Sequence, residues 1–450
     1  MQSKLTNSQI EYLFYHLNLH FEFSDEIKNR IRFNSQSNDI SQIIFKLSDK
    51  PLREIKYIDN IPLLFPLSTE PKFYTFDESN NLVFNDDLLK SAFYLLSGYQ
   101  ETLDYSPDQF GRYTYKESIQ KKLNLSAFPL VNFYFNIIME GIEKFCKINK
   151  ISFNKRDIWN GKKIGFLLTH DVDRVDKYTI RNLKYVLKQF LGLAPTKLSR
   201  VKASKLLIEH SIKLFTKQNP YWNFEWMKSI ENRFSLNSVW FFLPNNDKNI
   251  DAFYSFQERR IKNLVSELVE YGDEIGLHST YYSIQNEKIM NEDFESVKNL
   301  IGENPVGNRQ HWLRFKYPVT LRNLENLGIR YDSSWAFNDH IGWRNSYCLP
   351  FRPYDIKQDR MMNIWEFPLT VMDVTLFQYQ NLSQNSALEK IDDLLDITER
   401  FNGLFTLLWH NSNFELENGE DLKDFYISVL EKIHNKKTKT ILPNVWLKEI

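Results

Sequence analysis

From about residue 160 the chain alternates short apolar runs with longer amphipathic stretches, and this alternation limits its fold more than any other feature. The runs are KIGFLLT, SVWFFLP, DEIGLH, PVGNR, IRYD, NIWEFP and GLFTLLWH. Between them lie segments such as ERRIKNLVSELVEYG, TLRNLENLG and ALEKIDDLLDITERF, which carry helical apolar spacing. Strand, helix and strand in repetition imply parallel strands joined by helical crossovers. Seven such runs between residue 156 and residue 450 predict an α/β fold, a deformed seven-stranded (β/α) barrel rather than an open sheet.

Residues 1–155 read differently and predict a smaller α+β domain, in keeping with 450 residues being too many for one ordinary core. IEYLFYHLNLHF and FPLVNFYFNIIMEGIEKFCKI carry helical spacing. KFYTFDESNNLVFN reads as a hairpin turning at ESNN, and SPDQFGRYTYKES as a polar loop, either functional or, as most surface loops are, a plain connection. The role of this domain is not readable from its residues.

One stretch interrupts the barrel pattern. Residues 177–217, within an insert at about 177–220, hold ten Lys or Arg against the single acid Glu209. They read as two basic amphipathic helices broken near Ala194-Pro195. Such an insert suits a cradle for an anionic substrate or a peripheral contact with a membrane surface. The plain alternative is a solvated face opposed by the acidic segments at 389–399 and 415–421.

Composition removes several function classes. Lys and Arg balance Asp and Glu at 57 each, which argues against a general nucleic-acid binder. Glycines number 14, and neither G-x-x-x-x-G-K nor G-x-G-x-x-G occurs, so no phosphate-cradling loop is expected. No G-x-S-x-G is present to form a nucleophile elbow. Cys146 and Cys348 match no zinc or redox spacing, and a reducing compartment is expected. The first 23 residues lack a signal-peptide core, and no window reaches the length of a spanning helix. The expectation is a cytoplasmic chain with no transmembrane segment.

In a parallel barrel, chemistry collects where the strands' C-terminal ends meet the following loops. Asp171 and Asp173 follow KIGFLLT, two apart, so on an extended chain their carboxylates point the same way. His278 ends DEIGLH, Arg309 ends PVGNR with His311 two further on, and Asp332 ends IRYD. Glu366 lies within NIWEFP, and His410 ends GLFTLLWH. Asp and His can hold zinc or a similar ion. A spare carboxylate can take a proton from water, and a spare imidazole can protonate a leaving group. Together these residue types at one rim point to a divalent metal and hydrolysis.

At these residues the chain resembles the polysaccharide deacetylase family of metal-dependent carbohydrate esterases, over about residues 160–415. THDVD (169–173) stands where the wider family has T-F-D-D, and GLHSTYYS (276–283) stands for H-S/T-x-x-H. VGNRQH (306–311) stands for the R-x-P segment, GIRYDSSW (328–335) for G-x-x-Y-D-S-S, and LLWHN (407–411) for the final L-x-x-H. The likeness is nearest to a branch that reads T-H-D-V-D and carries an extra N-terminal domain.

The resemblance implies that Asp171 is the general base, that Asp173 and His278 are metal ligands, and that His410 is the general acid. Arg309 would hold Asp171 ionised and oriented. Tyr282 stands where the wider family has its second metal-binding His, which leaves His311, His170 or water to complete the set, or no ion at all. His311 enters as the candidate third ligand, zinc as the expected ion, and Tyr282, Trp343, Arg344 and Glu366 as candidate substrate contacts. His170 reads mainly as a wall residue and Asp332 as a strand-end cap. The implied reaction is hydrolysis of a non-peptide C–N bond, N-deacetylation of an amino sugar in a surface-glycan precursor, nucleotide- or lipid-linked. A catalytically degenerate carbohydrate-binding or scaffold protein on the same barrel, and a hydrolase of another amide, are the alternatives.

Overall fold

A computed structural model describes residues 4–34, 40–125, 127–194, 199–216, 219–245, 250–415 and 419–449. The first apolar run forms strand β1 (Gly165–Val172), buried at every position, as a parallel strand is when helices cover both faces of its sheet. Strands β2 (Ser238–Phe242), β3 (Glu274–Ser279), β4 (Gly307–Gln310) and β5 (Tyr331–Asp332) follow in sequence. They are joined by β6 (Trp365–Glu366), β7 (Val371–Met372) and β8 (Leu404–Leu408) in one sheet of order β6-β5-β4-β3-β2-β1-β8-β7. Every pairing in it is parallel.

A ninth strand, β9 (Lys439–Thr440), pairs with Gly165 and Phe166 of β1, ahead of the point where β2 joins at Leu168. The sheet therefore has nine strands against seven expected runs. Part of the surplus has a local cause. β6 pairs with β5 and β7 pairs with β8, yet both belong to one extended stretch. Pro368, which has no N–H to give, lies between them. That stretch bridges the two edges of a barrel-like parallel sheet.

Crossover helices follow the apolar spacing of the sequence. Arg259–Glu270, for example, buries Ile261, Leu264, Val265 and Leu268 on one side. Close approach of strands fixes one glycine: a Cβ on Gly307 would fall 2.0 Å from the Tyr331 ring, whose hydroxyl donates to Glu274 at 2.6 Å.

Ahead of the barrel, strands Ile31–Phe33, Ile43–Phe45, Leu82–Phe84 and Tyr74–Phe76 lie in that order, the last pair antiparallel. Helices Asn7–Leu17, Leu88–Leu96 and Leu130–Asn149 pack with this small sheet. The two parts share a continuous hydrophobic core, in which Tyr12 and Phe93 meet Tyr354 of the barrel at ring distances of 4.9 and 5.1 Å.

The basic insert forms helices Ile180–Phe190 and Arg200–Thr216, while Pro195 and Lys217 lie outside the described residues. Three of the acids at 389–399 pair elsewhere among the described residues. Asp392 pairs with Lys432, and Asp396 and Glu399 with Lys436, because the helix carrying them packs against Lys423–Asn435. Only Glu415 of the proposed acids reaches the insert among the described residues, at Lys177, 2.7 Å away. Cys146 and Cys348 are both buried and free. Among the described residues, no helix is long and apolar enough to cross a membrane.

Candidate metal centre

Strand alternation sorts the side chains of β1. Thr169 and Asp171, with Asp173 just beyond the strand, face one side, and His170 and Val172 face the other. His170 accordingly points into the barrel wall. Its Nδ1 bonds the Trp409 carbonyl at 2.8 Å, its Nε2 lies 3.0 Å from Glu231, and its ring lies on Trp240. It takes no part in the cluster described next.

On the other side, Asp173, His278 and His311 each offer one ligand atom, all within 4.8 Å of one another. Parallel register sets His278 of β3 beside Arg309 of β4, and His278 Nδ1 bonds the Arg309 carbonyl at 2.8 Å. That contact directs Nε2 toward the carboxylates, 3.2 Å from Asp173 Oδ1 and 3.5 Å from Asp171 Oδ2. His311, just past β4, is held the same way: Nδ1 lies 3.3 Å from buried Asp251, and Nε2 lies 3.8 Å from Asp173 Oδ2. A histidine whose second nitrogen is fixed by a carbonyl or carboxylate is set up as a metal ligand.

The residues fit a divalent ion. Two ligands about 2.1 Å from one ion stand roughly 3–3.5 Å apart. The separations of 3.2 and 3.8 Å around Asp173 are close to that. Asp173 Oδ1 and Asp171 Oδ1 are buried without a hydrogen-bond partner. Burial would raise the Asp173 carboxyl, but the His311, His278 and His410 imidazoles drive it well below the usual carboxylate range. Burial lowers the His278 pKa, and the Asp171 and Asp173 carboxylates more than offset this, so it is raised. An incoming cation would displace that proton.

Two groups flank the cluster. Asp171 is buried, and Arg309 Nη1 lies 3.8 Å from its free oxygen, an ion pair without a direct hydrogen bond. Arg309 is itself anchored by Thr169 and Ser333 at 3.2 and 3.0 Å and lies over the Phe241 ring. Opposite, His410 follows β8 and turns Nε2 toward Asp173 at 3.8 Å. Its Nδ1 and its backbone N–H both bond Asp373, each at 2.8 Å. Burial pulls the imidazole pKa down, but Asp373, then Asp173 and Asp171, push it up to about 10.

Three expected substrate contacts are corrected by burial. Trp343 is enclosed in the main core. Arg344 is also buried, its guanidinium bound at both ends by Glu101 at 2.8 and 2.6 Å. The same Glu101 accepts from Trp335 Nε1, so this arginine ties the first domain to the barrel instead of facing a ligand. Glu366 has no exposure, accepts from the Trp335 backbone at 2.8 Å, and is raised well above its usual pKa by burial and neighbouring Asp332. Asp332 caps its strand end, accepting from Ser334 and Asn308. Tyr282 is half-exposed, with its ring edge-on to Tyr281 at 5.0 Å.

Sequence reasoning missed one part of the site and left another open. Asp251 sits in a loop without periodicity, and only the fold brings it to His311. The loop at 106–118 is not merely a polar surface segment. Arg112 donates to the Trp312 carbonyl at 3.0 Å and to the Tyr379 hydroxyl at 2.9 Å, while Phe110 meets the Trp312 ring edge-on at 4.6 Å. Arg314 reaches back to the Phe110 carbonyl at 2.6 Å. Trp312 and Leu313 occupy left-handed backbone at φ 61° and 52°, next to His311. Such residues cost about 1–2 kcal/mol each, so this grip from the first domain bears directly on the His311 turn.

Comparisons with known proteins add the following. A family model described as a family of unknown function, DUF7033, matches residues 2–147. No curated protein matches the chain. Among solved structures, a putative polysaccharide deacetylase from Mycobacterium smegmatis is similar at 15% identity and a TM-score of 0.42, over 64% of this chain and 90% of that one. A probable polysaccharide deacetylase from Pseudomonas aeruginosa PAO1 gives 14% identity and a TM-score of 0.43, over 64% and 92%. An allantoinase gives 13% identity and a TM-score of 0.41, over 64% and 91%.

Proposed function

We propose that the protein is a divalent-metal-dependent hydrolase of a non-peptide C–N bond, removing the acetyl group from an N-acetylated amino sugar. One observation carries this reading: the Asp173, His278 and His311 ligand atoms converge, with Asp171 on one flank and the Asp373-held His410 on the other. An ion held by those three residues, zinc in the first instance, would polarise the acyl carbonyl and acidify water at the site.

The chain's own groups supply the rest. Asp171, with an oxygen that has no hydrogen-bond partner, accepts the proton of the attacking water. Arg309, fixed by Thr169 and Ser333, holds the position of that carboxylate. The carboxylates around His410, Asp373 foremost, favour its doubly protonated form, in which Nδ1–H donates to Asp373 and the proton on Nε2 goes to the departing nitrogen. Water adds to the carbonyl carbon, the C–N bond breaks, and acetate and a free amine leave.

Half-exposed aromatic rings support a sugar as substrate. Trp312 lies beside His311, Tyr281 meets both Trp312 and Tyr282, and Tyr379 joins them through Arg112. Flat apolar rings with polar edges suit the faces of pyranose rings. A metal-free binding role rests on Tyr282 standing in a ligand position; the third ligand atom that His311 offers beside Asp173 and His278 supports the enzyme instead.

The test is acetate release from N-acetylated amino-sugar oligosaccharides and their nucleotide- or lipid-linked forms. Asp171→Asn should lose the activity while retaining the ion. Undiminished turnover in that variant would remove Asp171 as the base, and acetate release from none of these substrates would remove the reading.

A further inference from the structure

The insert that breaks the barrel pattern carries an apolar surface as well as a basic one. Of 21 large hydrophobic side chains that are exposed among the described residues, ten lie between Ile180 and Phe215. They are not scattered. On helix Arg200–Thr216, Val201, Ile208, Ile212 and Phe215 recur at spacings of seven, four and three, which sets them in one stripe, each 57 to 83% exposed. The opposite side of that helix, with Ala203 and His210, is the side that packs. Helix Ile180–Phe190 repeats the arrangement: Ile180 and Leu187, continued by Leu191, form an exposed stripe bordered by Lys184 and Lys188.

Charge selects the occupant. The insert has ten Lys or Arg and one acid, Glu209, and of its basic residues Lys177 pairs with Glu415 from outside it. A second copy of this surface would bring like charges together. A bound diphosphate would account for the lysines but not for four exposed apolar residues in line. An anionic bilayer takes both, since apolar side chains enter the acyl boundary while lysines stay at the headgroups.

We propose that this helical pair docks the protein on an anionic lipid surface. The insert follows directly on the end of β1, which carries Asp171, with Lys177 four residues beyond Asp173, so docking brings the catalytic rim toward the membrane. The proposal stands apart from the reaction assigned above, and its test does not use that reaction.

The test is co-sedimentation of the full chain with phosphatidylcholine vesicles, with and without phosphatidylglycerol. Binding to the anionic vesicles alone is expected. Lys184→Gln, Lys188→Gln and Lys205→Gln together should weaken it about 100-fold, since each basic residue near a charged leaflet contributes about one kcal/mol. Ile208→Asp with Ile212→Asp should abolish binding while circular dichroism and metal content stay unchanged. Equal partitioning to neutral and anionic vesicles, or none to either, overturns the proposal. Binding that disappears with added salt yet ignores the aspartate pair would reveal adhesion to any polyanion and also overturns it. So does a dimer, seen by sedimentation equilibrium, that the aspartate pair converts to monomer without any vesicle binding.

Discussion

Replacing Asp251 by Asn isolates the support of one ligand without touching any ligand. Asp251 is buried, and its Oδ1 stands 3.3 Å from His311 Nδ1 and accepts the Tyr281 backbone N–H at 3.0 Å. Asparagine keeps the shape and one acceptor oxygen, so the Tyr281 contact survives, while the charge that makes His311 a more basic ligand is lost. Carboxylates in this position are worth 10- to 100-fold in metal affinity. The 3.3 Å separation is at the long end for such a bond, which selects the lower figure, about 10-fold or about 1.4 kcal/mol. Competition for zinc against a chromophoric chelator at fixed pH measures this directly. His311→Ala should fall further, because a ligand is removed. Wild-type zinc affinity in Asp251→Asn and His311→Ala alike would refute the reasoning and take His311 out of the site.

Asp373→Asn should move the alkaline limit of activity to lower pH, read from a pH–rate profile, because His410 loses the carboxylate that holds its proton. The sign for stability is fixed too. His410 is raised from 6.5 to about 10 in the fold, so its contribution is complete below the lower value and lost as pH rises through the upper one. Urea denaturation of metal-free protein should therefore show that Asp373→Asn costs more in acid than in alkali. Glu101→Ala leaves Arg344 buried and unpaired, and should cost about 3–5 kcal/mol in thermal or urea denaturation. Glu101→Ala combined with Arg344→Met should recover much of that loss, and no recovery would mean that the charge pair is not the cause.

The parallel sheet was legible because its strands are buried on both faces and so read as bare apolar runs between helices of period 3.6. The split at Pro368 and the short β9 were not, since strands of two residues carry no periodicity. Asp171, Asp173 and His278 could be placed on one rim because period-two alternation and strand ends are visible in residue order. Asp251 could not, because a loop residue joins its partner only through the fold. Arg344 and Glu366 misled for a physical reason: a charged side chain in a loop or at a strand end reads as available for a ligand, while its buried partner, Glu101 or Asp332, lies far away in sequence.

The central claim is that Asp173, His278 and His311 hold one divalent ion. Elemental analysis of the purified chain after zinc loading and desalting tests it most directly, alongside His278→Ala and His311→Ala. The account predicts one ion per chain in the wild type, and its loss in both variants with the fold retained by circular dichroism. An ion content of zero under every loading condition, or the same content in all three proteins, would contradict it.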